Sequence, residues 1–414
     1  MDTLTYADLD AACRAGGSTC LSSITDLVPA AGPHAGIAPA RYTTGKGRSS
    51  KGVYDFEPRY IDGEARDTVL VDGKASQLNR IESAVAAAIR AGDPALAGMP
   101  SIRVTYYRDD DPDLTFFDYQ LPHRYTDAHI RVGTHDGKPV IECPDYIAAR
   151  NAGPADATAL LALSPLSLAL GSWDSTRGSH QNRYRSTAVG EIIGVLADQT
   201  GRGRHPGHRG AARTDTVASG VHLTGPETLG VLDVQKAWMS KSTVDEITKK
   251  ATAAKKGEKL SASKFGLGSI PPNLEALGLV SCSQIIRSHV LSFAALRQIR
   301  FGDDEEATVA CRALLAALVL HGIALSDEEL ALRANCDLRE AGPAHVELDT
   351  RHGTHRDLAQ LKPEVTGPML QAAVETARTT AGITWDGRIF EVTGNPIVLG
   401  GMTAEADDDA QEES

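Results

Sequence analysis

Between Leu78 and Tyr107 the apolar period changes from that of a helix to that of a strand, so a fold of one class does not accommodate the chain. Leu78, Ile81, Val85 and Ile89 recur at three- and four-residue steps, and Gly92-Asp93-Pro94 follows; this predicts a helix that stops there. Ile102, Val104 and Tyr106 then alternate with Arg103, Thr105 and Tyr107, the pattern of a half-buried strand. The interleaving continues along the chain. A helix or turn opens it, followed by a strand around residues 20–28. Helices are predicted over residues 155–163, 186–196, 282–300, 308–320 and 328–333. Hairpins are predicted at Asp136-Gly137, from 129–134 paired with 139–142, and at Asp386-Gly387 within 383–392. Strands interleaved with helices and joined by antiparallel turns imply an α+β fold rather than a doubly wound parallel sheet. No internal repeat is present.

The 414 residues are 42% hydrophobic and 23% charged, enough for a sizeable core. The first residues, MDTLTYADLDAACRAGG, are polar and broken, so no secretory signal is expected. The most apolar run, residues 313–325, contains His321 and Gly322 and is too short to span a bilayer. Cys13, Cys20, Cys143, Cys282, Cys311 and Cys336 form no C-x-x-C pair and lie at no zinc spacing with His. A cytoplasmic protein with reduced thiols is the simplest reading, with no cofactor and no metal.

The net charge of −12 at first opposes a polyanionic partner. Half of that excess comes from Glu405, Asp407, Asp408, Asp409, Glu412 and Glu413, in a tail expected to be disordered. Elsewhere the basic residues cluster. Residues 41–51 hold Arg41, Lys46, Arg48 and Lys51 with no acid. Residues 200–220 hold Arg202, Arg204, Arg209 and Arg213 ahead of the lone Asp215, in a Gly/Pro context expected to lack regular structure. Lys241, Lys249, Lys250, Lys255, Lys256, Lys259 and Lys264 line a third segment. Between residues 168 and 194, an apolar run leads through Gly171-Ser172-Trp173-Asp174-Ser175-Thr176 into Arg177, Arg183 and Arg185. A Trp among small residues, followed by arginines, suits a flat anionic partner such as nucleic acid. The residue types leave open whether Trp173 stacks on a base or plugs the core.

Catalytic patterns are weak. Asp127 and His129 would share one face of a strand as a dyad. No G-x-S-x-G surrounds Ser175, and His352-Gly353-Thr354-His355 is not H-E-x-x-H.

Four collinear motifs resemble a known family. They are Ser76-Gln77-Leu78-Asn79-Arg80-Ile81-Glu82, Leu121-Pro122-His123-Arg124-Tyr125-Thr126-Asp127-Ala128, Gly171-Ser172-Trp173-Asp174-Ser175, and Phe265-Gly266-Leu267-Gly268-Ser269-Ile270-Pro271-Pro272 ahead of Leu296-Arg297-Gln298-Ile299-Arg300-Phe301. In this order they resemble the backbone subunit of type I-U (I-G) CRISPR effector, or Cascade, complexes, the Cas-seven group of the RAMP superfamily. The resemblance implies one RRM-like, ferredoxin-like domain over residues 1–400. Its insertions would be a basic finger at about 37–66, a basic loop at about 198–220 and a Lys-rich arm at about 236–272, with the acidic tail at 401–414. It implies copies stacked head to tail on one CRISPR RNA, which pairs with target DNA, beside other effector subunits and without a membrane. It implies no catalysis here. Contacts to RNA would come from Gln77, Asn79, Arg80, His123, Arg124, Ser172, Trp173, Ser175, Arg177, Arg183 and Arg185, and from Arg41, Lys46, Arg204, Arg209, Arg213 and Lys264. Two alternatives stand beside it: a metal-dependent RNA endonuclease using Asp174 or Asp127, and a protein scaffold without RNA.

Overall fold

The computed structural model describes residues 1–45, 51–108, 112–178, 183–205, 207–211, 220–268 and 273–400. Lys46, Arg213 and the acidic tail lie outside them. The chain divides into two compact units.

The first unit is built on an antiparallel sheet. Its strands are β1 (Cys20–Pro29), β2 (Phe56–Ile61), β3 (Glu64–Asp72), β4 (Ala188–Leu196), β5 (Cys282–Ser292), β6 (His345–Arg351) and β7 (Thr354–Leu358), in the order β7-β6-β1-β5-β4-β3-β2. The inner four, β6-β1-β5-β4, are each antiparallel to their neighbour. Helix α1 (Lys74–Ala91) lies between β1 and β4 in sequence, and α2 (Glu305–Asp327) between β5 and β6. Two split β-α-β units interleaved in this way are the ferredoxin-like, RRM-like core. The predicted α+β class is therefore the observed one.

One face of the sheet carries Leu21, Leu291, Ala188, Val346 and Leu348, which join one core with α1, α2 and α3 (Pro363–Ala381). Helix α2 is the one described helix long and apolar enough to cross a membrane, and 94% of its apolar window is buried inside the protein. A helix apolar on every side suits a core position. The opposite face is open in part: Ile24 on β1 and Val189 on β4 are exposed there, whereas Ile193 and Val195 further along β4 are covered. A second sheet, between α1 and β4 in sequence apart from its last described strand, sets Ser101–Tyr106 parallel to Ile389–Thr393.

Several expectations are corrected. Residues 186–196 are a strand, not a helix, because β4 is central and buried along most of its length, which erases the alternation. A Cβ on Gly190 would stand 2.4 Å from the His289 ring, so glycine is required where α1 and β5 close on β4. Residues 282–300 are β5 followed by the short helix Phe293–Leu296. Here the buried face holds Arg287 and His289 beside Ile285 and Leu291, while Ile286 and Val290 are only partly buried on the other face. That inverts the polarity a strand pattern relies on. Residues 328–333 form no helix beyond the end of α2. The hairpin at Asp136-Gly137 shrinks to Thr134–His135 and Lys138–Pro139, and His129 belongs to the short helix Ala128–Arg131. The expected terminal hairpin is the parallel strand Ile389–Thr393.

The second unit takes the described parts of Thr43–Val53 and His205–Leu279. It holds helices Gly225–Gln235 and Lys241–Ala253, and the paired strands His222–Thr224 and Lys259–Ser261. The Gly/Pro-rich basic loop, expected to be irregular, contributes the strand His208–Ala211, which pairs with Asn273–Leu277.

Candidate nucleic-acid interface

Three of the four motifs meet in the first unit. Asp72 ends β3 with its carboxylate fully buried. It accepts from Ser76 Oγ at 3.0 Å, Gln77 Nε2 at 2.6 Å, Arg80 Nε at 2.9 Å and Arg333 Nη2 at 2.5 Å. Burial pushes this carboxyl up, but Arg80 and Gln77 outweigh it and hold it below its ordinary value. The Ser-Gln-x-Asn-Arg start of α1 is thus fastened to β3. Gln77 is buried, and its Oε1 lies 3.1 Å from His289 Nε2.

One turn further along α1, Glu82 receives Arg124 Nε at 2.5 Å, and Arg124 Nη1 donates to the Gly171 carbonyl at 2.8 Å. Burial pushes the Glu82 carboxyl up despite Arg124. Gly171 sits at φ +88°, and a Cβ there would lie 2.7 Å from the Ser186 amide. Only glycine lets the two sides of the loop come this close.

That loop carries the third motif. Ser172 and Trp173 pair with Tyr184 and Arg183 in a two-residue antiparallel ladder. Trp173 is 48% exposed, and the Arg183 guanidinium sits 5.1 Å from its ring centroid, a cation–π arrangement. Arg185 is exposed and makes no ion pair among the described residues. Ser175 is exposed beside them.

Beneath, Asp174 is 4% exposed. Its Oδ2 takes Arg150 Nε at 2.8 Å and Nη2 at 2.6 Å, and its Oδ1 takes the Thr176 amide at 3.1 Å and hydroxyl at 2.6 Å. Burial would raise this carboxyl, but the Thr176 hydroxyl and Arg150 hold it below the usual range. Arg131 Nη1 donates to Thr176 Oγ1 at 2.9 Å, and Arg177 donates to the Arg150 carbonyl and to Asn151 Oδ1, both at 2.8 Å. These bonds tie down the segment beside the ladder, and the ladder presents an aromatic face and cationic groups.

The candidates therefore separate. Trp173, Ser175, Arg183 and Arg185 stand together on one exposed loop. Arg80 and Arg124 were expected to face phosphates; their guanidinium groups instead hold buried carboxylates, because a charge cannot stay unpaired at those depths. Gln77 is enclosed as a neutral donor to the same Asp72 carboxylate. Ser172 Oγ is buried and makes no hydrogen bond among the described residues, so it is not presented to a ligand. Asn79 lines a cleft of about 450 Å³ with Glu82, Arg90 and Gln120. His123 is exposed, next to Arg124. Arg41 borders a different cleft, of about 620 Å³, with Arg59, Lys74 and Arg333 but also Glu57 and Glu191. Arg204 pairs with Asp67. In the second unit Lys264 pairs with Glu246 at 3.0 Å, and Arg209 lies on the strand His208–Ala211.

The proposed dyad does not form. Asp127 caps the helix Ala128–Arg131 through the His129 amide at 2.9 Å, while the His129 ring pairs with the Tyr106 hydroxyl at 2.6 Å. Sequence reading missed Arg150, Arg131 and Arg333. Their partners lie 24 to 261 residues away along the chain, and no local spacing marks them.

No curated protein matches the chain. Residues 21–199, which contain β1 from its second residue to β4, helix α1 and the three converging motifs, match the model of the family described as CRISPR-associated protein GSU0053.

Proposed function

We propose that this chain is the guide-binding backbone subunit of its CRISPR effector. Several copies would stack head to tail along the spacer of one CRISPR RNA, in the cytoplasm and alongside other effector subunits, and hold it for pairing with target DNA. The observation that carries the reading is the loop at Trp173. A half-exposed indole with Arg183 against it and Arg185 beside it combines a stacking surface with phosphate-binding charge. Such a surface grips sugar, phosphate and base faces and leaves base edges free to pair, so the guide rather than the protein reads sequence.

The subunit is read as non-catalytic. Both oxygens of Asp174 and both of Asp127 are engaged by groups of the fold, the latter by the His129 and His123 amides. Both carboxylates are also buried, which supports a structural role over one at an open reaction centre.

The test is whether purified protein carries RNA, read by absorbance and extraction, followed by a salt titration of binding to single-stranded RNA. The reading expects a logarithmic slope of about −0.7 per phosphate engaged. Binding that is absent or indifferent to salt returns the chain to the scaffold alternative.

A further inference from the structure

The hairpin β6–β7 gathers four potential ligands on the open face of the sheet. In register, His345 and Glu347 oppose Ile24 and Ser22 of β1, and Glu347 opposes Asp357. His355 is two residues before Asp357 on the same strand, and so shares its face. His345 Nε2 lies 2.8 Å and His355 Nε2 3.4 Å from the same oxygen, Glu347 Oε1. Asp357 Oδ1 lies 4.0 Å and 3.9 Å from those two nitrogens. Ligand atoms of His345, Glu347 and Asp357 all fall within 4.8 Å of one another.

Hydrogen bonding alone leaves this arrangement incomplete. Both imidazoles converge on one oxygen, and Asp357 sits near both rings yet beyond hydrogen-bond reach of either. A tetrahedral zinc ion, with bonds of about 2.0–2.1 Å, spaces its ligand atoms by about 3.3 Å. The four separations above straddle that value; His355 lies outside the mutually close trio of His345, Glu347 and Asp357, so it would complete the set by a turn of its half-exposed ring. Two neutral imidazole nitrogens with two carboxylate oxygens suit a borderline cation of the zinc class, whereas magnesium and calcium prefer oxygen alone.

We propose that His345, Glu347, His355 and Asp357 form a binding site for a divalent transition-metal ion of the zinc class. The ion would tie the two strands of the hairpin at the sheet edge and cancel two negative charges there. Spacing along the sequence hides this site. In sequence His355 stands three residues from His352, whereas Glu347 and Asp357 meet it only in the folded hairpin.

The test uses untagged full-length protein dialysed against zinc and, separately, magnesium, with bound metal counted by atomic emission. One zinc per chain and no retained magnesium is expected. The double variant His345→Gln, His355→Gln should lose zinc affinity by at least about 100-fold; its circular dichroism should match the parent because both rings are about half exposed. Cobalt substitution guards against binding by the six cysteines. A weak d–d spectrum without a thiolate charge-transfer band supports the site. A strong thiolate band, equal zinc binding by the double variant, or no zinc on the parent overturns it.

Discussion

At Asp72, Arg80 and Arg333 converge on a buried carboxylate between β3 and α1. At Trp173, Arg183 and Arg185 stand on an exposed ladder over a base held by Arg150. Both regions hold arginines beside small polar residues, in motifs of similar composition. They differ in what each guanidinium meets. A fully buried carboxylate needs its cationic partners and accepts a short bond from each. An exposed indole leaves the guanidinium over its ring free to meet a further anion. An arginine in a motif thus signals an ion-paired anchor or a ligand contact according to whether an acid is buried beside it.

The largest effect should come from Asp72→Ala. It leaves two arginines and Gln77 without their common acceptor and should cost about 3–5 kcal/mol in urea unfolding. RNA affinity of the molecules that remain folded should hold. A change below about 1 kcal/mol would break the comparison from the core side. The converse is Arg183→Glu with Arg185→Glu, expected to weaken single-stranded RNA binding by about 100-fold at low salt while stability stays within about 0.5 kcal/mol.

A third measurement sharpens the buried side, where Gln77 links Asp72 to His289. Burial, aided by Arg287, pushes the His289 imidazole down to about 3. The unfolded chain takes up this proton near pH 6.5, and the native state refuses it until about 3. The contribution is therefore complete above about pH 6.5 and is lost as pH falls from there, by up to about 1.4 kcal/mol per unit. His289→Gln should flatten the fall in urea midpoint between about pH 7 and about pH 5. Asp327, pushed up to about 6 by burial, contributes with opposite sign and lies 3.7 Å from the ring, so the comparison is repeated in an Asp327→Asn background, where His289→Gln should flatten the curve in the same way. Parallel curves would contradict the assignment. The smallest effect is expected for Trp173→Ala, a loss of about 1 kcal/mol, or fivefold, in RNA affinity; an unchanged affinity would leave the indole without a stacking role.

The sequence made some of this legible. The period over residues 78–89 and the alternation over 102–106 became α1 and a strand at the predicted places, because each element buries one side only. Residues 186–196 and 282–300 misled because β4 is buried on both faces over Ile192–Leu196 and β5 buries Arg287 and His289. The candidate loop was visible in Gly171, Trp173, Arg183 and Arg185, which are close in sequence. Its support by Arg150 and Arg131, and the capture of Arg80 by Asp72 and of Arg124 by Glu82, follow from tertiary pairing and leave no local mark.

The most direct measurement is one RNA titration, at fixed low salt, of the parent, of Arg183→Glu with Arg185→Glu, and of Arg80→Gln, each corrected for its folded fraction. The account predicts a loss of about 100-fold for the loop variant and a change under threefold for Arg80→Gln, whose deficit should appear in stability. Equal affinity for the loop variant and the parent, or a larger loss at Arg80 than at the loop, would contradict it.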